Sequence, residues 1–379
     1  MGNNDFTEYM SNGDTEKREA VKRQLIDLPK QAPKIMHDDL GPTKPRIDLR
    51  ATSEDKAVAL LSKLESGMYS APAFRDLEIK PRSKLIGNWF READLGILFA
   101  PRGLGKTFLA LSIGQAVSEK APVGPWPVEA DPVGVLFVDG EMPSELMQER
   151  VKSMEINSRL FTILNHEELF KATDIVLNLT EKPTQNAITE ICVKHHKKVL
   201  ILDNLSCLFQ GVKENDADDW EKVLPWLLHL RRCGIAVIIV AHSGRNNATI
   251  RGTSRREDAA FWILRLDEVT VSGPRRGSRF ISRFQKQRNS PEDPGAFEWW
   301  FEPDGDQTRI TYKPASSEDV MLQLIKEGVV SASEIAEEMH VSKGTVSKMA
   351  KKLKDRGVIT MEKRGYALTH QSAEEGEEE

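Results

Sequence analysis

The stretch that most constrains this chain is APRGLGKT, which occupies residues 100–107. It follows the phosphate-binding pattern G-x-x-x-x-G-K-[ST] at every fixed position except the first, where Ala100 replaces the glycine. The apolar run 96–99 before the loop is typical of a strand, and the run 107–117 after it is typical of a helix. Because Pro101 favours an extended conformation for the residue before it, alanine is tolerated there without strain. The pattern therefore predicts a working phosphate site rather than an ordinary strand–turn–helix.

The individual loop residues have distinct predicted roles. Backbone N–H groups and the N-terminus of the following helix would cradle the phosphates, and Gly103 and Gly105 would allow the backbone to approach them closely. Lys106 would reach the β- and γ-phosphates, and the Thr107 hydroxyl would bind Mg²⁺. We accordingly predict ATP and Mg²⁺ as cofactors. The predicted nucleotide-binding residues are Ala100, Pro101, Arg102, Gly103, Leu104, Gly105, Lys106, Thr107 and Phe108.

Acidic residues follow two later apolar strands and complete the predicted site. The run VLILD ends in Asp203, which would hold Mg²⁺ through its water shell. The run VLFVDGE ends in Asp139 and Glu141, and a glutamate just past a neighbouring strand can orient or deprotonate an attacking water. Alternatively, either acid lies near the N-terminus of the next helix only because the helix dipole favours a negative charge there.

The first three hundred residues divide into two regions of different character. Residues 1–75 are polar, charged and interrupted by prolines, with one helical pattern over 54–64, and we interpret them as a partly disordered arm or linker. Between 76 and 314, short continuous apolar strands alternate with helical segments, which predicts an α/β domain with a twisted, mostly parallel sheet flanked by helices. Its strands are predicted near 96–99, 133–138, 199–202, 235–240, 261–266 and 279–284, and one of its helices over 218–232.

The C-terminal region, residues 316–370, has the pattern of a small winged helix-turn-helix domain. Three segments with helical periodicity precede a run that is typical of a β-hairpin, residues 357–369. Ser342 is a plausible N-cap for the third helix, because its side chain can accept a hydrogen bond from the first turn. The last residues, 371–379, form a predicted acidic tail.

Charge is segregated within this C-terminal region. Residues 342–364 carry eight Lys and Arg against two acids, a net charge of +6, whereas 317–340 has a net charge of −5. A basic third helix and wing favour contact with the phosphates of duplex DNA. The predicted contacts are Lys343, Thr345, Lys348 and Lys352. A winged helix that makes only protein contacts is the alternative.

Five segments within 85–300 carry a resemblance that is specific in their order and spacing. They are LFAPRGLGKTFLAL, VLFVDGEM, VLILDNLS, LRRCGIAVIIVAHSGR and RGTSRRED. They resemble the RecA-like ATPases of the plasmid and phage RepA type, a group similar to the hexameric replicative helicases. The resemblance implies Mg–ATP hydrolysis in a ring or filament with nucleotide between subunits. It also implies that Glu141 is the catalytic base and that His242 senses the γ-phosphate, although a locally hydrogen-bonded strand-end histidine is the alternative.

Lys286 and Arg288 lie two residues apart after a later apolar strand, so an extended chain places them on the same side. The pair resembles the lysine-x-arginine pair that related ATPases project into the nucleotide site of a neighbouring subunit. An arginine there would stabilise charge in the transition state, as an arginine finger does. The alternative is a solvated basic end of a strand.

The loops after the Asp203 and His242 strands are where RecA-like rings bind single-stranded DNA. The first loop is acidic here, which makes it a poor surface for phosphates. The second loop is basic and contains Arg245 and Arg251, to which we assign the predicted contact with single-stranded DNA. These arginines could equally bind acids or nucleotide in the same protein or a neighbour.

The composition of the chain bears on its cellular location and on whether its cysteines form disulfides or bind zinc. No apolar stretch approaches the ~20 residues that a membrane helix needs, and the polar N-terminus has no signal-peptide core. The cysteines at 192, 207 and 233 form no C-x-x-C pair, so neither a disulfide framework nor a zinc site is expected. We therefore expect a cytoplasmic protein without membrane contact. The resemblance to RepA-type ATPases implies a homo-oligomer, with a hexamer as the favoured form.

Three functions remain open at this stage. The first is an ATP-driven DNA motor or helicase of a mobile element, and the second is a DNA-dependent ATPase of recombination or helicase loading that does not unwind. The third is a regulator whose winged helix binds DNA and whose nucleotide only controls assembly. Hydrolysis separates the third from the others, and strand displacement separates the first from the second.

Overall fold

The computed structural model describes residues 53–210, 220, 222–243, 254–269, 277–339, 341–362 and 364–369, without the side chains of 53–57 and 254–256. The chain divides into two compact units, Met1–Ile79 and Lys80–Glu379. Most of the predicted arm and the whole predicted acidic tail lie outside the described residues. The first unit contains helices α1, Ser53–Glu65, and α2, Ala71–Arg75, so the short helix predicted over 54–64 is confirmed.

The second unit begins with a small antiparallel pair, β1 Lys84–Ile86 and β2 Phe90–Arg91. A large sheet follows. Its strands are β3 Leu95–Ala100, β4 Gly134–Asp139, β5 Phe161–Asn165, β6 Lys197–Asp203, β7 Ala236–His242, β8 Trp262–Glu268, β9 Ser278–Gln287, β10 Phe297–Asp304 and β11 Gln307–Pro314. The helices between them are α3 Lys106–Glu119, α4 Ser144–Ser153, α5 His166–Thr173, α6 Lys182–Lys194, α7 Leu205–Leu208, α8 Leu224–Arg232 and α9 Ser254–Ala259.

The order of strands across this sheet is β11-β10-β9-β8-β3-β7-β6-β4-β5. From β8 to β5 each pair of neighbours is parallel, whereas β9, β10 and β11 extend the sheet in antiparallel pairs. Because parallel strands have a common carboxyl edge, the residues that end β3, β4, β6 and β7 lie along one edge. Ligands of open α/β sheets bind at this edge.

Apolar side chains alternate between the two faces of the parallel strands and bury both of them. Leu98 faces a core that includes Leu109 and Ile113 of α3, while Ile97 faces a second core that includes Leu227 of α8. The two-residue period of an extended chain explains this division. Helices on both faces account for strands that are apolar along their whole length.

Gly96 allows an unusually close contact within the first core. A Cβ at this position would lie 2.0 Å from the indole of Trp262 on the neighbouring strand β8. Trp262 in turn packs against Trp89, with the ring centroids 4.9 Å apart, and Trp89 packs against Trp126 at 5.2 Å. The indole cluster therefore packs on the backbone of the strand that leads into the phosphate loop.

The C-terminal residues form three helices and a hairpin. These elements are α10 Ser317–Lys326, α11 Ala332–Glu338, α12 Lys343–Asp355, β12 Ile359–Glu362 and β13 Gly365–Leu368. The side chains of Ser316, Ser331 and Ser342 each accept a hydrogen bond from the first turn of the helix that follows. A separate small core unites the three helices with the hairpin through Leu324, Ile335, Val346, Leu353 and Ile359.

A buried cluster of charges joins α10 to the large sheet. Glu327, at the end of α10, forms ion pairs with Arg265 of β8 and Arg283 of β9, and its Oε1 lies 2.8 Å from Arg265 Nη1. Asp267 pairs with the same two arginines. In addition, Gln323 Nε2 donates to the carbonyl of Glu268 at 2.5 Å. The winged helix is therefore held against the sheet by specific polar contacts.

The predicted RecA-like α/β class, mostly parallel sheet and C-terminal winged helix are confirmed. Strand β5 was not predicted, because an edge strand with partly exposed residues lacks the continuous apolar run of its neighbours. Of the helix predicted over 218–232, the part from Leu224 to Arg232 is confirmed as α8, with Pro225 in its first turn, where proline is tolerated. Residues 218, 219 and 221 lie outside the described residues. The predicted domain limits at 75, 314 and 316 stay predictions. No helix among the described residues is long and apolar enough to cross a bilayer.

Candidate nucleotide site

The phosphate loop joins β3 to α3. Ala100 is the last residue of β3, so its backbone is extended and alanine is not strained there. Gly103 and Gly105 have φ angles of 72° and 101°, in the left-handed region that glycine adopts at no steric cost. A Cβ at Gly105 would also lie 2.9 Å from the side chains of both Phe280 and Ser278. The loop conformation therefore requires its two glycines but not a glycine at its first position.

Lys106 is almost completely buried in the turn of the loop. Its Nζ donates to the carbonyl of Pro101 at 2.7 Å and to that of Ala100 at 3.1 Å. Burial lowers the pKa of this ammonium to about 8, although Asp203 and Glu141 oppose the shift. A buried cation that has only carbonyl partners is well suited to exchange them for a phosphate anion.

Asp203 ends β6 beside Thr107, the first residue after the loop lysine. The Thr107 side chain forms a hydrogen bond with the Asp203 carboxyl group, but the buried Oδ2 of Asp203 has no hydrogen-bond partner among the residues that the structure describes. Burial, together with smaller effects of the neighbouring Asp139 and Glu141, raises the pKa of Asp203 to about 6, although Thr107 and Lys106 oppose the shift. A buried carboxylate oxygen without a partner, next to a hydroxyl, matches the oxygen ligands that Mg²⁺ prefers.

Glu141, Asn204 and His242 form a polar group at the same edge of the sheet. Asn204 Nδ2 donates to Glu141 Oε2 and lies 3.3 Å from Nε2 of His242. The His242 Nε2 is 4.0 Å from Glu141 Oε2. The Glu141 side chain is about half exposed, at 55%, whereas that of His242 is 10% exposed. The carboxylate of Glu141 is therefore open to solvent while its orientation is constrained from one side.

These groups line one cavity of about 360 Å³. Of the predicted site residues, it brings together Arg102, Gly103, Gly105, Lys106, Thr107, Phe108, Glu141, Asp203 and His242. Ala100, Pro101 and Leu104 do not line it. Ala100 and Leu104 are buried in the core, and Ala100 and Pro101 contact Lys106 through their carbonyls.

The cavity also contains residues that sequence reasoning missed, chiefly Arg150 of α4 and Ser278 of β9. The guanidinium of Arg150 lies 4.6 Å from the ring centroid of Phe108. Burial lowers the pKa of Arg150, and the nearby acids Asp203, Asp139 and Glu141 act in the opposite direction. Arg150 lies on α4, a few residues after Glu141 in the sequence, but no local sequence pattern predicted that it would enter the cavity.

Lys286 and Arg288 do not line the cavity of their own chain. Lys286 Nζ donates to the carbonyl of Glu257, and Arg288 Nη1 donates to that of Asp258 at 3.2 Å. The two side chains thus lie on one side, near the end of α9, as their spacing predicts. Burial lowers the pKa of Lys286, and the adjacent Arg288 lowers it further. Arg245 and Arg251, predicted to contact single-stranded DNA, lie outside the described residues.

The outward face of α12 carries the residues predicted to contact duplex DNA. All four predicted residues are exposed: Lys343, Thr345, Lys348 and Lys352. The Thr345 N–H donates to the Ser342 hydroxyl oxygen, which caps the helix. Lys352 is not a free cation, because its Nζ lies 3.2 Å from Oε1 of Glu318 in α10. Arg356 binds the other oxygen of Glu318 at 2.9 Å.

The loop, the acids at the carboxyl edge and the strand order define a P-loop ATPase domain of the RecA-like class. In agreement, residues 63–248 match the family described as "AAA domain". Residues 320–367 match the family described as "Iron dependent repressor, N-terminal DNA binding domain", which coincides with the winged helix. No curated protein matches the chain significantly.

Solved structures show similarity at low sequence identity. The flagellar accessory protein FlaH from Methanocaldococcus jannaschii is 13% identical, with a TM-score of 0.42 over 59% of this chain and 91% of its own. A KaiC-like protein from Pyrococcus horikoshii OT3 is also 13% identical, with a TM-score of 0.45 over 62% of this chain and 100% of its own. The class assignment rests on the topology, the site and the family match.

Proposed function

We propose that this chain is an Mg–ATP hydrolase that acts on DNA as an oligomer, a replicative helicase or motor of the RepA type from a plasmid, phage or other mobile element. The observation that carries the proposal is the convergence of Lys106, Thr107, Glu141, Asp203 and His242 on one cavity. Together they supply the positioning and charge stabilisation that phosphoryl transfer to water requires. The RepA type is supported by the order and spacing of the sequence motifs.

The loop binds the triphosphate. Its backbone N–H groups and the N-terminus of α3 hold the phosphate oxygens, and Lys106 exchanges the carbonyls of Ala100 and Pro101 for β- and γ-phosphate oxygens. A phosphate next to the ammonium also favours its charged form, which burial disfavours in the free protein. The loop and Lys106 therefore bind the phosphates, including the γ-phosphate that is transferred.

Glu141 is the proposed general base. It takes a proton from a water molecule while the water oxygen attacks the γ-phosphorus and the bond from that phosphorus to the ADP oxygen breaks. Asn204 orients the carboxylate through its amide, and His242 lies beside both groups to sense the γ-phosphate. Thr107, and Asp203 through the water shell of the ion, would hold Mg²⁺, which would supply positive charge next to the phosphates.

Arg150 adds a positive charge to the same cavity from within the chain. Phe108 packs against its guanidinium, and the nearby carboxylates of Asp203, Asp139 and Glu141 favour its charged form. We assign it to the γ-phosphate, where negative charge spreads over the equatorial oxygens in the transition state.

Lys286 and Arg288 are assigned to the nucleotide site of a neighbouring subunit. Support comes from their lying side by side and outside the cavity of their own chain. An arginine supplied from a neighbour makes hydrolysis depend on assembly, for which we propose a ring of six. Single-stranded DNA is assigned to Arg245 and Arg251 within the ring, and duplex DNA to the exposed residues of α12.

The proposal is tested by the rate of ATP hydrolysis without DNA, with single-stranded DNA and with duplex DNA, while the mass of the assembly is measured in parallel. Lys106→Ala removes a contact to the transferring phosphate and is expected to lower turnover more than about a hundredfold. A Lys106→Ala protein that hydrolyses ATP at the normal rate would exclude the site. A Lys120→Ala variant, which changes an exposed lysine outside the cavity, is the control and should hydrolyse ATP normally.

A second candidate is a DNA-binding regulator whose assembly is controlled by nucleotide. The match of residues 320–367 to the DNA-binding domain of iron-dependent repressors favours it. This candidate predicts ATP binding with negligible hydrolysis, and sequence-specific binding to duplex DNA. A DNA-dependent ATPase that does not unwind differs from the helicase only in strand displacement, so a forked duplex separates these two.

A further inference from the structure

Asn165 is the last residue of β5, the edge strand of the sheet, and it is almost completely buried. Its Nδ2 donates two hydrogen bonds. One is to Oδ2 of Asp139 at 2.7 Å, and the other is to the carbonyl of Met142 at 2.9 Å. Asn165 therefore contacts both ends of the four-residue segment that contains Glu141, without lining the cavity itself.

Asp139 transmits this contact to the backbone of Glu141. Its other oxygen, Oδ1, accepts hydrogen bonds from the N–H groups of Glu141 and Met142, both at 3.1 Å. Both oxygens of the Asp139 carboxyl group therefore have hydrogen-bond partners, because the turn binds Oδ1 and Asn165 binds Oδ2. Loss of the amide donor would leave a buried Oδ2 without its partner, and such groups cost free energy or move until they find one.

Asn165 also has a purely structural role. Its Oδ1 accepts hydrogen bonds from the N–H groups of Glu167 and Glu168, which caps α5. Glu167 in turn accepts hydrogen bonds from the N–H and hydroxyl of Ser144, the first residue of α4. The acceptor oxygen serves the cap and the donor nitrogen serves the Glu141 turn, so the two roles can be separated by substitution.

We propose that Asn165 is a positioning residue that fixes the turn carrying Glu141 through Asp139 and Met142. It acts on the orientation of the carboxylate that activates water and touches neither nucleotide nor water. The inference rests on the proposed role of Glu141 as general base. A small displacement of a catalytic group lowers turnover while leaving the binding of the phosphates to the loop unchanged.

The experiment compares kcat and KM for ATP, together with the melting temperature, in the full chain and its variants. Asn165→Ser keeps a good helix-capping oxygen but has no amide to reach Asp139. We expect kcat to fall about tenfold or more, with KM close to that of the unchanged protein and the melting temperature lowered by only a few degrees, because Oδ2 of Asp139 loses one buried hydrogen bond.

Ser331→Ala is the control for the loss of a helix cap, because it removes the cap of α11 in the winged helix. Its kcat without DNA should be unchanged. If Asn165→Ser has normal kcat while Glu141→Gln is inactive, the positioning role is excluded and the proposed function stands. A rise in KM that accounts for the whole loss of kcat/KM would likewise overturn it. If Glu141→Gln hydrolyses ATP normally, the proposed role of Glu141 fails and the inference fails with it.

Discussion

Asp203 and Lys106 are opposite charges held away from water in one cavity, and burial shifts the pKa of each toward its neutral form. The free protein therefore maintains its nucleotide site at a cost in stability. Under the proposed function, Mg²⁺ and phosphate would offset this cost, because they would give the carboxylate a cation and the ammonium an anion. Part of this cost in stability comes from Oδ2 of Asp203, a buried polar atom that has no hydrogen-bond partner among the described residues.

At the scale of the residue we predict that Asp203→Asn stabilises the protein in the absence of nucleotide and Mg²⁺. The pKa of Asp203 is raised from about 3.8 to about 6, so the unfolded chain loses this proton first and stability falls as the pH rises from 4 to 6. Asp203→Asn has no titrating group at this position and so does not lose stability in this way. Its free energy of unfolding should therefore exceed that of the unchanged protein by about 3 kcal/mol above pH 7, with no gain below about pH 4.

Chemical denaturation at pH 4, 6 and 8 in the presence of a chelator measures this difference. The exposed Asp131 provides the control, since its surface ion pair with Lys120 contributes at most about 1 kcal/mol and Asp131→Asn should therefore change the free energy of unfolding little at every pH. A gain for Asp203→Asn that is equal at pH 4 and pH 8 would contradict the explanation from burial.

The helix α12 shows how an element combines local and tertiary determinants. Its period places Val346, Met349 and Leu353 in the core of the winged helix and its lysines outward. The tertiary structure then distinguishes between the lysines. Lys348 is exposed, whereas Lys352 forms an ion pair with Glu318 of α10.

At the scale of the element we predict that Lys348→Ala weakens duplex binding and reduces the salt dependence of the affinity by about one counterion. Lys352→Ala should have a smaller effect, because Glu318 already neutralises that charge. Glu318→Gln should strengthen binding, since it releases Lys352 and Arg356. Titration of a labelled duplex at several salt concentrations measures all three, and an unchanged affinity for Lys348→Ala would remove α12 from the DNA interface.

At the scale of the whole molecule, the winged helix and the ATPase sheet share a buried group of charges. Glu327 of α10 is paired with Arg265 and Arg283, and Arg265 lies on β8, the strand adjacent to the one that leads into the phosphate loop. Deletion of residues 316–379 would remove the Glu327 carboxylate from both of these buried arginines. Single substitutions on α12 are therefore a cleaner test of DNA binding than truncation.

Also at this scale, we predict that a mixture of Arg288→Ala and Glu141→Gln subunits recovers ATPase activity that neither variant has alone. An interface formed by the intact Glu141 of one chain and the intact Arg288 of its neighbour is complete. A mixture of Lys106→Ala and Glu141→Gln is the control, because both changes affect the same side of the interface and no complete site can form. Absence of recovery at any mixing ratio would argue against an arginine supplied by a neighbour.

Much of the nucleotide site could be predicted because its signals are local. Lys106, Thr107, Asp203 and Glu141 each follow an apolar strand at a short, fixed spacing, and parallel strands bring their carboxyl ends to one edge. Ala100 was explained by the proline that follows it, and the extended strand end agrees with that explanation. The winged helix was predicted for the same reason, from periodicity and capping residues within about fifty residues of chain.

By itself, the sequence determined the class of fold, the phosphate loop and the acids at the strand ends, since these depend on contacts between near neighbours in the chain. Only the tertiary structure decided that Arg150 and Ser278 enter the same cavity, that Asn165 holds the Glu141 turn, and that Glu327 joins the winged helix to the sheet. These contacts join residues that are distant in sequence, and the packing of the whole sheet sets their distances, so no spacing along the chain encodes them.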